Sequence, residues 1–315
     1  MNASIDLYLV SERVLVLFFT MFAGIAARRL NIIDDATTKK LSKLLVNITQ
    51  PLMIITSFQI MYDAKLLFDG FRIVVASVII HVLAAAFAFI AFFKLKKLSE
   101  RIIFEFGVIF ANCSFIGYPV LKAVFGDEIA VFYGSFYIIF FNMFIWTWGL
   151  HILRRGKSGI KVPKWKIFIN AGTLPCVIGV AVYLTQIKLP SPLFSAMKLV
   201  GDMTFPLSMI IVGSLIAHIK ILKVLTNPRM YYFLAVRCFI FPCLILALCL
   251  LLRIDRTLGY LCVIMTAMPS GANTAIFSEL YEADSKLGAE SVGASTLVSV
   301  LSIPCIIMLL NFFYK

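Results

Sequence analysis

Two short polar interruptions hold the residue types best suited to gripping a small ligand without reacting with it. The first reads Phe110-Ala111-Asn112-Cys113-Ser114-Phe115-Ile116-Gly117-Tyr118-Pro119. The second reads Thr266-Ala267-Met268-Pro269-Ser270-Gly271-Ala272-Asn273-Thr274. A carboxamide donates two hydrogen bonds and accepts others, and uncharged donors suit a carboxylate that must bind and then leave. Asn112 lies about ten residues into its apolar stretch, roughly 15 Å deep at the helical rise. Such an Asn also serves as an interhelical hydrogen bond, a modest glue in membrane interiors. Gly117 and Pro119 after Asn112, and Pro269 and Gly271 before Asn273, favour a site. Proline removes a backbone donor and clashes with the preceding turn. Lipid offers nothing to repair the loss, so such backbone must be buried in protein or line a cavity. Ser114, Ser270 and Thr274 flank the two amides. Unwound carbonyls would face cations, and the N-termini of the half-helices would face anions.

Asn142 stands in Phe140-Phe141-Asn142-Met143-Phe144, a run so apolar that its amide is expected to face protein. Asp202 is the sharpest acid. An acid at the bilayer centre costs at least a few kcal/mol and is a functional candidate by default. It would carry a coupling proton, pair with Lys43 or Lys198, or persist as a neutral, hydrogen-bonded group. Glu105 and Arg237 read as lying nearer the ends of their spans, pairing with each other or snorkelling. No basic residue stands out at the breaks. Seven cysteines fall in apolar segments without a CxxC pair, so neither disulfide nor metal site is expected. No HExxH, nucleophile elbow, P-loop or EF-hand pattern occurs. No cofactor and no enzymatic activity are expected.

The elements that must position these residues are membrane helices. The chain is 61% hydrophobic and 14% charged, with mean hydropathy +0.98, against about 25% charged in soluble domains. Ten apolar stretches of spanning length are expected, about 8–27, 37–60, 71–93, 102–122, 129–152, 167–186, 193–217, 230–252, 257–280 and 288–312. The basic stretch 154–166 joins two five-helix halves, 1–153 and 167–315. Eighteen Lys and Arg fall in loops after odd-numbered spans and eight in the remaining connections and tail. By the positive-inside rule both termini lie outside. The basic runs flank apolar spans without interleaved aromatics, so nucleic acid is not an expected partner. The N-terminus lacks the basic start of a cleaved signal peptide, and the first span is expected to be retained.

The halves resemble each other. Lys43, Leu44, Thr49, Pro51 and Leu52 recur as Lys198, Leu199, Thr204, Pro206 and Leu207 at a constant offset of 155. Two repeats of five spans must lie with opposite topology, an inverted repeat. The Asn-x-x-x-x-Gly-x-Pro of span four, the Pro-x-Gly-x-Asn of span nine and the Thr-x-Pro-Leu of spans two and seven resemble the auxin efflux carrier family. That family includes bacterial malate and malonate permeases and plant PIN-formed auxin carriers. The resemblance covers essentially the whole chain, without the long central loop of many plant members. It implies an all-α membrane fold in which spans 1, 2, 6 and 7 form a scaffold. Spans 3–5 and 8–10 would form a transport domain with helices 4 and 9 broken and crossed. Pro51 and Pro206 would kink the scaffold, through which a homodimer is expected.

Taken together, these readings point to a gradient-driven carrier in the plasma membrane moving a small organic anion. The anion would be malate or malonate, or an auxin-like aromatic carboxylate, with proton or sodium coupling open. A dicarboxylate site would be expected to show a buried Arg or Lys. An ion channel on the same scaffold would more naturally show a charged ring or carbonyl filter. The charge asymmetry makes a direct prediction. In a Cys-free background, Ser158→Cys should resist an impermeant thiol reagent added to intact cells and react after permeabilisation. Labelling of intact cells would invert the orientation.

Overall fold

The computed structural model describes residues 7–125, 127–155, 170, 172–217 and 227–314. Most of the basic 154–166 stretch, and most of the expected opening of the sixth span, lie outside them. Among the described residues regular structure is helical, apart from one isolated bridge. Helix α1 is Leu7–Arg29. Helix α2 (Asp35–Leu44) runs through a π turn, Leu45–Thr49, into α3 (Gln50–Ser57). Helix α4 is Ala64–Phe92. Helix α5 (Leu98–Ile109) stops at the first break, and a π turn at Cys113–Gly117 opens α6 (Tyr118–Phe125). Helix α7 (Asp127–Phe144), a π turn at Ile145–Gly149 and α8 (Leu150–Leu153) run on continuously. Then come α9 (Thr173–Thr185), α10 (Ser191–Asp202) and α11 (Thr204–Ile216). Helix α12 (Pro228–Ala235) passes through a π turn, Val236–Ile240, into α13 (Phe241–Leu251). Helix α14 (Arg256–Ala267) ends at the second break, α15 (Asn273–Leu280) resumes beyond it, and α16 is Ser285–Phe313.

Three of the π turns follow from prolines, and the one at Ile145–Gly149 has none just after it. Those three end two residues before the ring: Thr49 before Pro51, Gly117 before Pro119, Ile240 before Pro242. Proline has no N–H, and its ring clashes with the carbonyl four residues back. Widening the turn by one residue ahead of the ring displaces that carbonyl and lets the helix continue. The helix starts are set by capping side chains. Asp34, Asp63, Asn227, Asp255 and Asp284 each accept a bond from a backbone N–H in the first turn that follows, satisfying donors a helix start leaves free.

Among the described residues, five helical segments have the length and apolarity to cross a membrane: Ala64–Phe92, Ile129–Leu153, Ser191–Ile216, Pro228–Leu251 and Ser285–Phe313. The apolar helices Cys113–Phe125, Thr173–Thr185 and Arg256–Ala267 are shorter. Phe19, Phe22, Val75, Ile79, Phe89, Leu199, Leu251 and Leu301 stand exposed. The buried Ser135, Ser208 and Ser299 instead bond carbonyls of their own helices. Apolar side chains outside, with these hydroxyls satisfied inside, is the arrangement a hydrocarbon solvent requires.

Helices pack where small residues let backbones meet, as in membrane interfaces generally. Helices α1 and α11 touch main chain to main chain. A Cβ on Gly24 would stand 2.2 Å from the Ile210 carbonyl oxygen, and one on Gly213 2.0 Å from that of Met21. A Cβ on Gly201 of α10 would stand 2.9 Å from the backbone of Met53 in α3. Since backbone cannot swing aside as a side chain can, Gly213→Ala should destabilise the fold by about 1–3 kcal/mol. The measurement is thermal unfolding in detergent, and an unchanged melting temperature would show that the two helices have room to part.

Candidate functional site

The two breaks meet. Ala111 and Ser270 form an antiparallel bridge. The Asn112 N–H donates to the Pro269 carbonyl at 2.8 Å, and the Gly271 N–H donates to the Phe110 carbonyl at 2.8 Å. Each break thus repairs the main-chain groups of the other, where lipid would leave them unsatisfied. The approach demands glycine: a Cβ on Gly271 would stand 3.0 Å from the carbonyl oxygens of both Phe110 and Ala111. A Cβ on Gly107, in the last turn of α5, would stand 2.9 Å from the Ser270 hydroxyl. Helix α16 holds the crossing from behind, where the Ser295 hydroxyl accepts from the Ser270 N–H at 3.0 Å.

On one side of the crossing lies a cavity of about 180 Å³. Its polar lining comes from Gln50, Asn112, Ser114, Asn142, Asn170 and Asn273. Phe115, Phe141, Trp146 and Phe277 supply aromatic walls, and no described lining residue is charged. Asn112 is 5% exposed. Its Oδ1 accepts from the Phe115 N–H at 3.2 Å and caps the π turn, which leaves the amide's donor half for another partner. Asn142 is the sharper case, because its Nδ2 is buried with no hydrogen-bond partner among the described residues. Gly172 makes room for it, since a Cβ there would stand 2.1 Å from that nitrogen. Helix α15 begins at Asn273, and the π turn leading into α6 begins just after Asn112. Two helix N-termini, each with about half a positive charge, therefore open beside the cavity.

Not every expected residue arrives there. Ser270 and Thr274 are fully buried and bond each other, hydroxyl to hydroxyl at 3.0 Å. They lie outside the lining and brace the second break. Gly117 packs toward Met265, whose sulfur would stand 3.1 Å from a Cβ. Pro119 and Pro269 are buried, Pro51 is half-buried and Pro206 exposed. Asp202 is exposed at the C-terminal end of α10, away from the cavity lining. Glu105 and Arg237 do not pair. Glu105, 1% exposed, sits between Arg101 at 2.6 Å and Arg155. Arg237, also 1% exposed, bonds the carbonyls of Val108 and Met268. A basic residue therefore does stand at the crossing, behind it rather than in the cavity.

Gln50 and Asn170 escaped the sequence reading. Gln50 sits between Thr49 and Pro51, inside the repeated motif, but its counterpart at the same offset is Phe205, so the comparison of halves passed over it. Asn170 uses its Oδ1 to accept from the Gly172 and Thr173 N–H groups, both at 3.0 Å. That is an ordinary cap for α9.

Apolar spans, paired helix breaks and a cavity of uncharged donors beside them define a membrane transport protein. The chain belongs to the auxin efflux carrier family: the model of that family, described as membrane transport protein, matches residues 9–307. No curated protein matches it.

The orphaned donor makes a prediction. An unsatisfied buried donor costs about 1–3 kcal/mol, so Asn142→Leu should leave the melting temperature of the ligand-free protein equal or higher. Ligand binding should fall in the same variant. A lower melting temperature with binding intact would assign Asn142 to the fold instead.

Proposed function

We propose that the protein is a secondary carrier that moves a small organic anion across the plasma membrane by elevator-type alternating access. The observation that carries this is the cavity at the crossing, where two helix N-termini and the donors of Asn112 and Asn142 converge without a cationic side chain. Partial charges and neutral donors hold a carboxylate firmly enough to select it and weakly enough to release it. Gln50 and Val46 line the cavity from α3 and the π turn before it, in the scaffold half of this reading. A ligand there touches both parts that must slide past each other.

The architecture in this reading is ten spans in two inverted repeats, 1–153 and 167–315. Spans 1, 2, 6 and 7 form the scaffold, and spans 3–5 and 8–10 the transport domain. One contact supports it, because residues on a two-fold axis meet their own counterparts. Thr204 donates to Thr49 at 3.0 Å, hydroxyl to hydroxyl, and these residues are equivalent at the offset of 155. The two breaks also meet each other, at Ala111 and Ser270. Asn47 and Asp202 are equivalent as well, and both are exposed. Polar groups facing hydrocarbon are costly, so this face of the scaffold is covered by a second copy in a homodimer. Asp202 then belongs to that interface rather than to coupling.

For the anion, the four aromatic walls favour a carboxylate with an apolar or aromatic body. Malate or malonate would bury a second charge against rings. The test is substrate-dependent thermal stabilisation of the purified protein across malate, malonate and aromatic monocarboxylates, followed by uptake into proteoliposomes. Asn112→Ala should fold and lose about ten- to a hundredfold in affinity for the anion that stabilises the parent protein. Parent-like affinity in that variant would remove Asn112 from the site, and failure of every anion to bind would remove the carrier reading.

A further inference from the structure

The cavity accounts for the positive ends of the broken helices. Their negative ends lie elsewhere. The last four carbonyls of a helix have no intrahelical partner, and a C-terminus carries about half a negative charge. Helices α5 and α14 both end at the crossing, so two such ends are buried together there. The carbonyls of Phe110 and Pro269 are taken by the main-chain bridge. Those of Val108 and Met268 are taken by a single side chain. Arg237 donates from Nη1 to Val108 at 3.2 Å and from Nη2 to Met268. Its Nε is buried without a partner, and no carboxylate among the described residues pairs with it. The π turn Val236–Ile240, forced by Pro242, carries it. One turn earlier on the same rod, Phe233 stacks on Phe104 of α5, with centroids 4.9 Å apart. The guanidinium is therefore held against the end of the first broken helix by packing as well as by hydrogen bonds.

A buried cation without a counter-ion is strongly unfavourable. Here two helix ends, roughly half a negative charge each, together match one positive charge. In carriers with broken helices, unwound carbonyls and half-helix C-termini are the groups that coordinate a coupling cation. We infer that Arg237 is a resident cation. Its guanidinium neutralises the paired C-termini at the crossing, so anion binding and transport need no exchangeable sodium ion. This deepens the carrier reading and rests on it for transport, but the occupancy of the crossing by a fixed charge is independent of any substrate. Arg237 acts as a positioning residue. It does not touch the cavity, and it keeps the half-helix ends together so that the opposite ends remain aimed at the anion.

The test begins without substrate. Arg237→Ala removes the guanidinium and leaves a gap lined by two carbonyls. Its melting temperature should drop, and millimolar guanidinium should restore much of the loss, with sodium ion restoring part. Millimolar urea, neutral and of the same shape, should restore none. The parent protein should respond to none of the three. Rescue by urea equal to that by guanidinium, or no rescue, would overturn the assignment of a charge role. If Arg237→Ala does not fold, Arg237→Lys and Arg237→Gln decide. The lysine variant should retain anion affinity within about tenfold, and the glutamine variant should lose more than that. Equal affinities in the two would show that hydrogen bonding, not charge, is the function. In proteoliposomes the parent protein's uptake should be the same in sodium chloride and choline chloride, and a tenfold fall in choline would overturn sodium independence. Absence of uptake in both media would instead reject the carrier reading, and the rescue experiment would still decide the role of Arg237.

Discussion

A peptide group inside hydrocarbon must find its partner within the protein. Each interrupted helix of this chain releases amides and carbonyls at a depth where water does not reach. The chain resolves the problem by giving each break the other as its partner. The donor that Asn112 lost from its helix finds the Pro269 carbonyl, and the donor of Gly271 finds that of Phe110. Once that exchange is made, much else is fixed. Gly107 and Gly271 must be small, Ser295 must stand behind Ser270, and the helix ends must lie side by side.

The exchange also sorts charge. Crossing two broken helices through their interruptions gathers like ends with like. The amino ends open beside the cavity, and the carboxyl ends close on Arg237. The cavity and the guanidinium thereby lie apart, on different sides of the crossing. The arrangement gives the site its polarity from backbone dipoles, whose strength depends on burial and not on the rotamer of any side chain.

Much of this was legible in the sequence, because prolines and glycines within apolar stretches are rare and carry positional meaning. The breaks at 110–119 and 266–274, the amides of Asn112, Asn142 and Asn273, and the likeness of the Lys43 and Lys198 segments could all be read directly. What could not be read was direction. Ser270 and Thr274 lie within four residues of Asn273, yet their hydroxyls satisfy each other instead of the cavity. Helical periodicity is undefined across a break, so nothing local states which way they point. Arg237 lies deeper than its position along the span suggests, for a related reason. Depth along a span was counted from its ends, but the broken helices stop midway, and α12 with its π turn brings the guanidinium to where they stop. Asp202 was read as deep and therefore central. It is exposed, since depth in the bilayer says nothing about distance from the axis of the molecule. Gln50 was hidden because a repeat comparison finds what is shared, whereas a binding site in a pseudo-symmetric protein is used asymmetrically.

The mutual repair of the breaks has a consequence for how the protein is made. Residues 110–112 are synthesised long before residues 269–271, and at ribosomal rates of about 5–20 residues per second the gap is on the order of ten seconds. Throughout that interval the first interrupted helix has been released toward the membrane without the segment that completes it. Its open amide and carbonyl must be sheltered by the insertion machinery or by trapped water until residues 269–271 arrive. The first half of the chain is thus no independent unit of biogenesis. A nascent chain stalled before Pro269 should be a substrate for membrane quality control.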